Sequence, residues 1–90
     1  MSDQRRNRIY SVDHRNVAAV YVSEKGDGRF YGTILYQRTD FHFTNPVSGT
    51  DYNFEVQSFL ADSEQDILSR SQSWLRENFD DRVYEFRLVD

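Results

Sequence analysis

Residues 62–79, DSEQDILSRSQSWLRENF, are the one stretch of the chain in which apolar positions recur at helical spacing. Ile67, Ser71, Trp74, Leu75 and Phe79 share a stripe that Leu68 widens, while the segments on either side alternate with a period of two. A single amphipathic helix presents one apolar stripe and so covers one face of a sheet. The chain has 90 residues, room for one domain and one core. The other face of the sheet therefore needs its own account.

The helix limits are readable from side-chain chemistry. Asp62 or Ser63 can cap the start by accepting a backbone N–H bond, and Glu64 and Asp66 fall in the first turn, where the helix dipole favours acids. Before the helix, NVAAVYVS (16–23) and RFYGTILYQ (29–37) are rich in β-branched and aromatic residues, and the glycine-bearing turn EKGDG (24–28) joins them as a hairpin. No glycine or proline interrupts 33–44, which extends the second strand over 29–44, with a bend, bulge or break near Arg38 to Asp40. NPVSGT (45–50) reads as a turn, and DYNFEVQSFL (51–60) as a half-buried strand. DRVYEFRLVD (81–90) closes the chain with a last strand.

The expected architecture is α+β. A twisted, mainly antiparallel sheet of four to five strands in the order β-β-β-α-β packs one face on one helix. Residues 1–15 are a basic arm, in which 8–12 (RIYSV) can add a short strand, and 16–90 are the domain. Parity places Val20, Val22, Phe30, Ile34, Tyr36, Phe54, Val56, Leu60, Tyr84, Phe86 and Leu88 under the helix, with Trp74 at the centre. Each contributes about 1.5 to 3 kcal/mol if fully buried. Aromatic residues make up 16 % of the chain, against 38 % hydrophobic overall, so rings carry much of that burial.

The same parity sends Tyr31, Thr33, Leu35, Phe59 and Val89 to the opposite face. Phe41 and Phe43 join them if the strand is unbroken and turn inward if a residue bulges near Thr39. Contiguous exposed apolar patches are uncommon on soluble monomers. The strip implies self-association, a partner, or cover by Ile9, Tyr10 and Val12 of the arm.

Charge is uneven along the chain. Arg5, Arg6, Arg8 and Arg15 against Asp3 and Asp13 give the arm +2 within a chain of net charge −4, leaving −6 for the body. Arginines 5, 6 and 8 together with sheet aromatics form the basis of a nucleic-acid reading, since open sheets stack bases and arginine contacts phosphate. The acidic body and the single lysine oppose it.

Little in the chain resembles catalytic machinery. Cysteine is absent, which removes disulfides and thiolate chemistry and is compatible with a reducing compartment. His14 and His42 are the only imidazoles, and Asp40 with His42 makes two ligands where a metal site uses three or four. Ser48 has no GxSxG elbow around it, GDG (26–28) is too short to cradle a phosphate, and Asp80 with Asp81 reads as a solvated helix exit. The longest apolar run, VAAVYV, is far too short to span a bilayer, and no apolar stretch follows the N-terminal arginines.

The expectation is a small cytoplasmic, non-enzymatic module without cofactor or metal. It binds another protein, or itself as a homodimer, through Tyr31, Leu35, Phe41, Phe43 and Phe59, or through the acidic helix surface. Nucleic-acid binding through Arg5, Arg6 and Arg8 is the alternative, and a small hydrolase the remote one.

Overall fold

A computed structural model describes residues 7–37 and 54–89. Its elements are β1 (Asn7–Val12), β2 (Val17–Glu24), β3 (Phe30–Tyr36), β4 (Glu55–Ala61), α1 (Glu64–Asn78) and β5 (Phe86–Val89). The strands form one sheet in the order β4-β3-β2-β1-β5, with every neighbouring pair antiparallel. The α+β fold with one helix on one sheet face is as the periodicity implied. The last strand pairs with β1, so the passage from β4 through α1 carries the chain from one sheet edge to the other.

Ile9, Tyr10 and Val12 of the arm do not lie across the outer face. Residues 7–12 are an interior strand between β2 and β5, with Tyr10 opposite Val20 on one side and Leu88 on the other. The hairpin between β2 and β3 turns at 25–29. Lys25 N–H donates to Arg29 O at 2.7 Å, Asp27 Oδ1 accepts from Arg29 N–H, and Gly28 takes φ +85°, a conformation that favours glycine. Between Val17 and Ala19 the register with β3 shifts, which turns Val17 into the core while Ala18 is exposed. The bend expected near 38–40 lies outside the described residues, as do Phe41 and Phe43.

Helix α1 begins at Ser63, whose hydroxyl accepts the Asp66 N–H at 3.1 Å, and it packs across β2, β3 and β4. Ile67, Ser71 and Leu75, four residues apart, are fully buried against Val20 and Ile34. Ser71 is satisfied within the helix, its hydroxyl donating to Ile67 O at 2.8 Å. The helix approaches closely because Gly32 lies beneath Ile67: a Cβ there would stand 2.3 Å from Ile67 Cγ2. Trp74 is not the core's centre. It is half-buried at the flank, its ring 4.8 Å from that of Tyr36, because the i, i+4 row of Ile67, Ser71 and Leu75 faces the sheet squarely.

β4 has the opposite parity to the one its apolar count suggested. Phe59 is opposite Gly32, and Phe59 and Ala61 lie on the helix side. Val56 and Leu60 face the other way and are 59 % and 47 % exposed; Phe54 is also exposed. Two residues separate Ala61 from α1, so the end of the strand must turn toward the helix. Leu88 sits on the helix side beside Tyr10 yet is 53 % exposed, since β5 is the edge farthest from β4 and α1 covers β2, β3 and β4.

Candidate interaction surface

Register across the sheet assigns the outward residues. Ile9 on β1 is opposite Val89 and Tyr21, and Tyr21 is opposite Thr33, which in turn meets Ser58. One row away Tyr31 is opposite Leu60, and on the other side Ala19, Leu35 and Val56 align. Diagonal neighbours on a sheet face lie within reach of aromatic side chains, so Tyr21 joins the Ile9 and Val89 group to Tyr31 and Leu35. Among the strand residues with this orientation, Arg87 alone is charged. No element of the described structure lies over this face.

Polar contacts on the face are few and local. Tyr31 donates its hydroxyl to Ser58 Oγ at 3.1 Å, Thr33 and Ser58 hydroxyls are 3.4 Å apart, and Lys25 Nζ stands 5.3 Å above the Tyr31 ring. These contacts orient Tyr31 without covering it. Tyr31 and Leu35 therefore occupy the outward strip, whereas Phe59 turns to the helix side and leaves it. Ile9, Tyr21, Val56 and Leu60 complete it. Tyr21 was legible, being the residue between inward Val20 and Val22. Val56 and Leu60 were hidden by the parity of β4.

The helix side is held by ion pairs and backbone ties. Glu64 accepts from the Tyr10 hydroxyl and from Arg8 Nη1 at 3.1 Å, joining β1 to the helix start. Burial, reinforced by the Glu64 carboxylate, pushes the Tyr10 phenol above its ordinary value. Arg8 thus lies on the face opposite Tyr21 and Tyr31, engaged with an acid. Arg5 and Arg6 lie outside the described residues. The helix surface carries both signs, with Arg70 near Asp66 and Glu77 along one groove and Arg76 paired to Asp81 at 2.9 Å.

A group of titratable side chains gathers at the helix exit. His14 packs between Phe79 and Tyr84, its Nδ1 accepting the Asn16 N–H at 3.0 Å and its Nε2 3.6 Å from the Asp80 carboxylate. Tyr84 is buried, and its hydroxyl donates to Asp80 O and accepts from Asp80 N–H. Gln72 brackets the Tyr84 backbone, donating to its carbonyl at 2.9 Å and accepting its N–H at 2.6 Å, as a neighbouring strand would. Asp13 accepts from Glu85 N–H and from Arg82, whose guanidinium covers the Tyr84 ring. The His14 and Asp13 contacts tie the 79–85 segment to the 12–16 turn, and those of Gln72 tie it to α1, so that the arrangement is a clamp.

Asp40, His42 and Ser48 lie outside the described residues. Among the described residues no group of three histidine or acidic side chains is placed to hold a metal ion, and no helix is long and apolar enough to cross a membrane. No family model, curated protein or solved structure matches this chain.

Proposed function

We propose that this protein is a non-catalytic binding module that docks another protein on the outer face of its sheet and acts by occupancy. One observation carries the reading: Ile9, Tyr21, Tyr31, Leu35, Val56, Leu60 and Val89 share a sheet face with one charged residue, while the charges of the described structure gather on the helix side and at the strand ends. Apolar surface rich in tyrosine, largely free of charge at its centre, is the composition of an interface core. Absence of cysteine supports a reducing, cytoplasmic setting. The nucleic-acid alternative has weaker support, because Arg8 and the exposed tyrosines stand on opposite faces.

Site-specific photocrosslinking in cells tests this. A benzophenone amino acid at Tyr21 is expected to give a protein adduct that the same group at Ser69, on the exposed helix surface, does not. Adducts at Ser69 alone, or at neither position, would refute it. An adduct containing nucleic acid would transfer support to the alternative.

A further inference from the structure

The two edges of the sheet are guarded differently. β5 is four residues long and carries Arg87, whose guanidinium is 3.5 Å from the Glu85 carboxylate. Short, charged edge strands are poor templates for pairing. β4 runs seven residues with no proline, lysine or arginine, and its one charge, Glu55, is at its first position. Among the described residues no strand pairs with its second edge. A strand directs its backbone N–H and C=O groups to both sides, and no described strand takes those that β4 turns away from β3. The helix does not close that side. An open groove of about 450 Å³ runs between α1 and β4, floored by Phe59 and Trp74 and flanked by Asp66, Arg70 and Glu77.

We infer that the occupant of this edge is β4 of a second copy of the chain, paired antiparallel about a two-fold axis at Ser58. A two-fold axis normal to the sheet keeps each side chain on its own face. Residues equally spaced on either side of Ser58 then meet. On the outer face Val56 is opposite Leu60 of the second copy, and Ser58 is opposite Ser58. On the helix face Gln57 is opposite Phe59, and Glu55 is opposite Ala61. All seven residues of β4 pair, the apolar outward residues meet each other, and no like charges are opposed. Moving the axis by one residue in either direction sets Val56 or Leu60 opposite Ser58 and leaves a strand end unpaired.

The result is a continuous sheet of two five-stranded halves. The two grooves face each other across the seam, where the helix-side residues of the incoming strand lie beside Phe59. The outer faces merge into one larger surface that the pairing leaves open. The dimer therefore stands independently of the docking reading.

Light scattering on the full chain tests it. At micromolar concentration the expected mass is twice the chain's 10.7 kDa. Ser58→Lys and Ser58→Glu, each at an exposed position, should each fall to the mass of one chain, and mixing them in equal amounts should restore two. Ser58→Cys in this cysteine-free chain should crosslink under oxidised glutathione, whereas Thr33→Cys, one strand inward on the same face, should not. Circular dichroism checks that each variant is folded. A single-chain mass at all concentrations would overturn the inference. So would a dimer indifferent to both charge variants, a mixture that fails to recover, or crosslinking at Thr33 equal to that at Ser58. None of these outcomes alters the adduct expected at Tyr21, so the two ideas fail separately.

Discussion

The two faces of the sheet are made from the same five strands and differ in what finishes them. On the helix side apolar residues meet a second layer: Val20, Ile34, Ile67 and Leu75 are fully buried, and polar ties from Gln72, Glu64 and Ser71 leave no described buried side-chain polar atom without a hydrogen-bond partner. On the outer side a comparable number of large side chains meets no second layer among the described residues. In a domain this small, apolar residues left on one face do little for the stability of the single chain. They gain their burial energy when another surface arrives. The difference separates the residues that fold the chain from those that its fold leaves exposed.

The largest effects belong to the covered face. Ile67→Ala or Leu75→Ala is expected to cost about 2–5 kcal/mol through lost burial and a residual cavity. Leu60→Ala on the outer face should stay within about 0.5 kcal/mol in the isolated chain. Urea denaturation of the three variants at a concentration where the chain is monomeric makes the comparison. An equal loss at Leu60 would mean that the outer face is also a core.

Gly32→Ala sharpens the same contrast at one atom. The added methyl would stand 2.3 Å from Ile67 Cγ2, on a branched side chain seated in the core, so Ile67 or the helix that carries it must shift. Overpacking of this kind costs about 1–3 kcal/mol. Combined with Ile67→Ala the change should be partly relieved, and the double variant should be less destabilised than the two losses added together. Strict additivity would show that the approach of α1 to β3 does not depend on Gly32.

These contacts also show how far the sequence could be read. The helix, the first hairpin and the inward set Val20, Val22, Ile34 and Tyr36 follow from local periodicity, and of the two capping residues the sequence allows, Asp62 or Ser63, the structure uses Ser63. What failed was long-range register. Along 54–61 two apolar sets alternate, Phe54, Val56 and Leu60 against Phe59 and Ala61, and the larger set lost. The choice was made by the short Asp62–Ser63 connection to α1 and by the pairing with β3, neither of which alternation within the strand reveals. Residues 8–12 posed a different problem. Five residues of mixed character read equally as an arm or a strand, and only pairing with β2 and β5 together decides. Tyr31, Leu35 and Tyr21 were accessible from alternation alone, whereas Leu60 needed the register.

The polar clamp at the helix exit offers a smaller test. Tyr84→Phe removes a hydroxyl that donates to Asp80 O at 2.7 Å and accepts from Asp80 N–H at 2.8 Å. Asp80 is exposed, so water can replace part of this pairing, and the expected loss is about 1 kcal/mol. A cost nearer that of Ile67→Ala would mean that the 79–85 segment belongs to the cooperative core.

The smallest effect is distinguished by its pH dependence. The Glu85 N–H donating to Asp13 Oδ1 at 2.9 Å, together with the Arg82 guanidinium, holds the Asp13 carboxyl below the usual carboxylate range. A carboxylate whose pKa is lower in the folded than in the unfolded chain stabilises the fold above its unfolded pKa. That contribution disappears as pH falls from the ordinary aspartate range, near about 4, through the depressed folded value. Asp13→Asn keeps the shape and removes the charge. Its urea midpoint should lie below that of the wild type at pH 7, and the gap should narrow steadily below pH of about 4. A gap unchanged by acid would assign the tie to hydrogen-bond geometry alone. A gap that widened would mean that the carboxylate opposes the fold, contrary to the partners it has. Because Asp13 is exposed, the effect should also shrink in high salt, which the buried contacts of Ile67 and Leu75 would not.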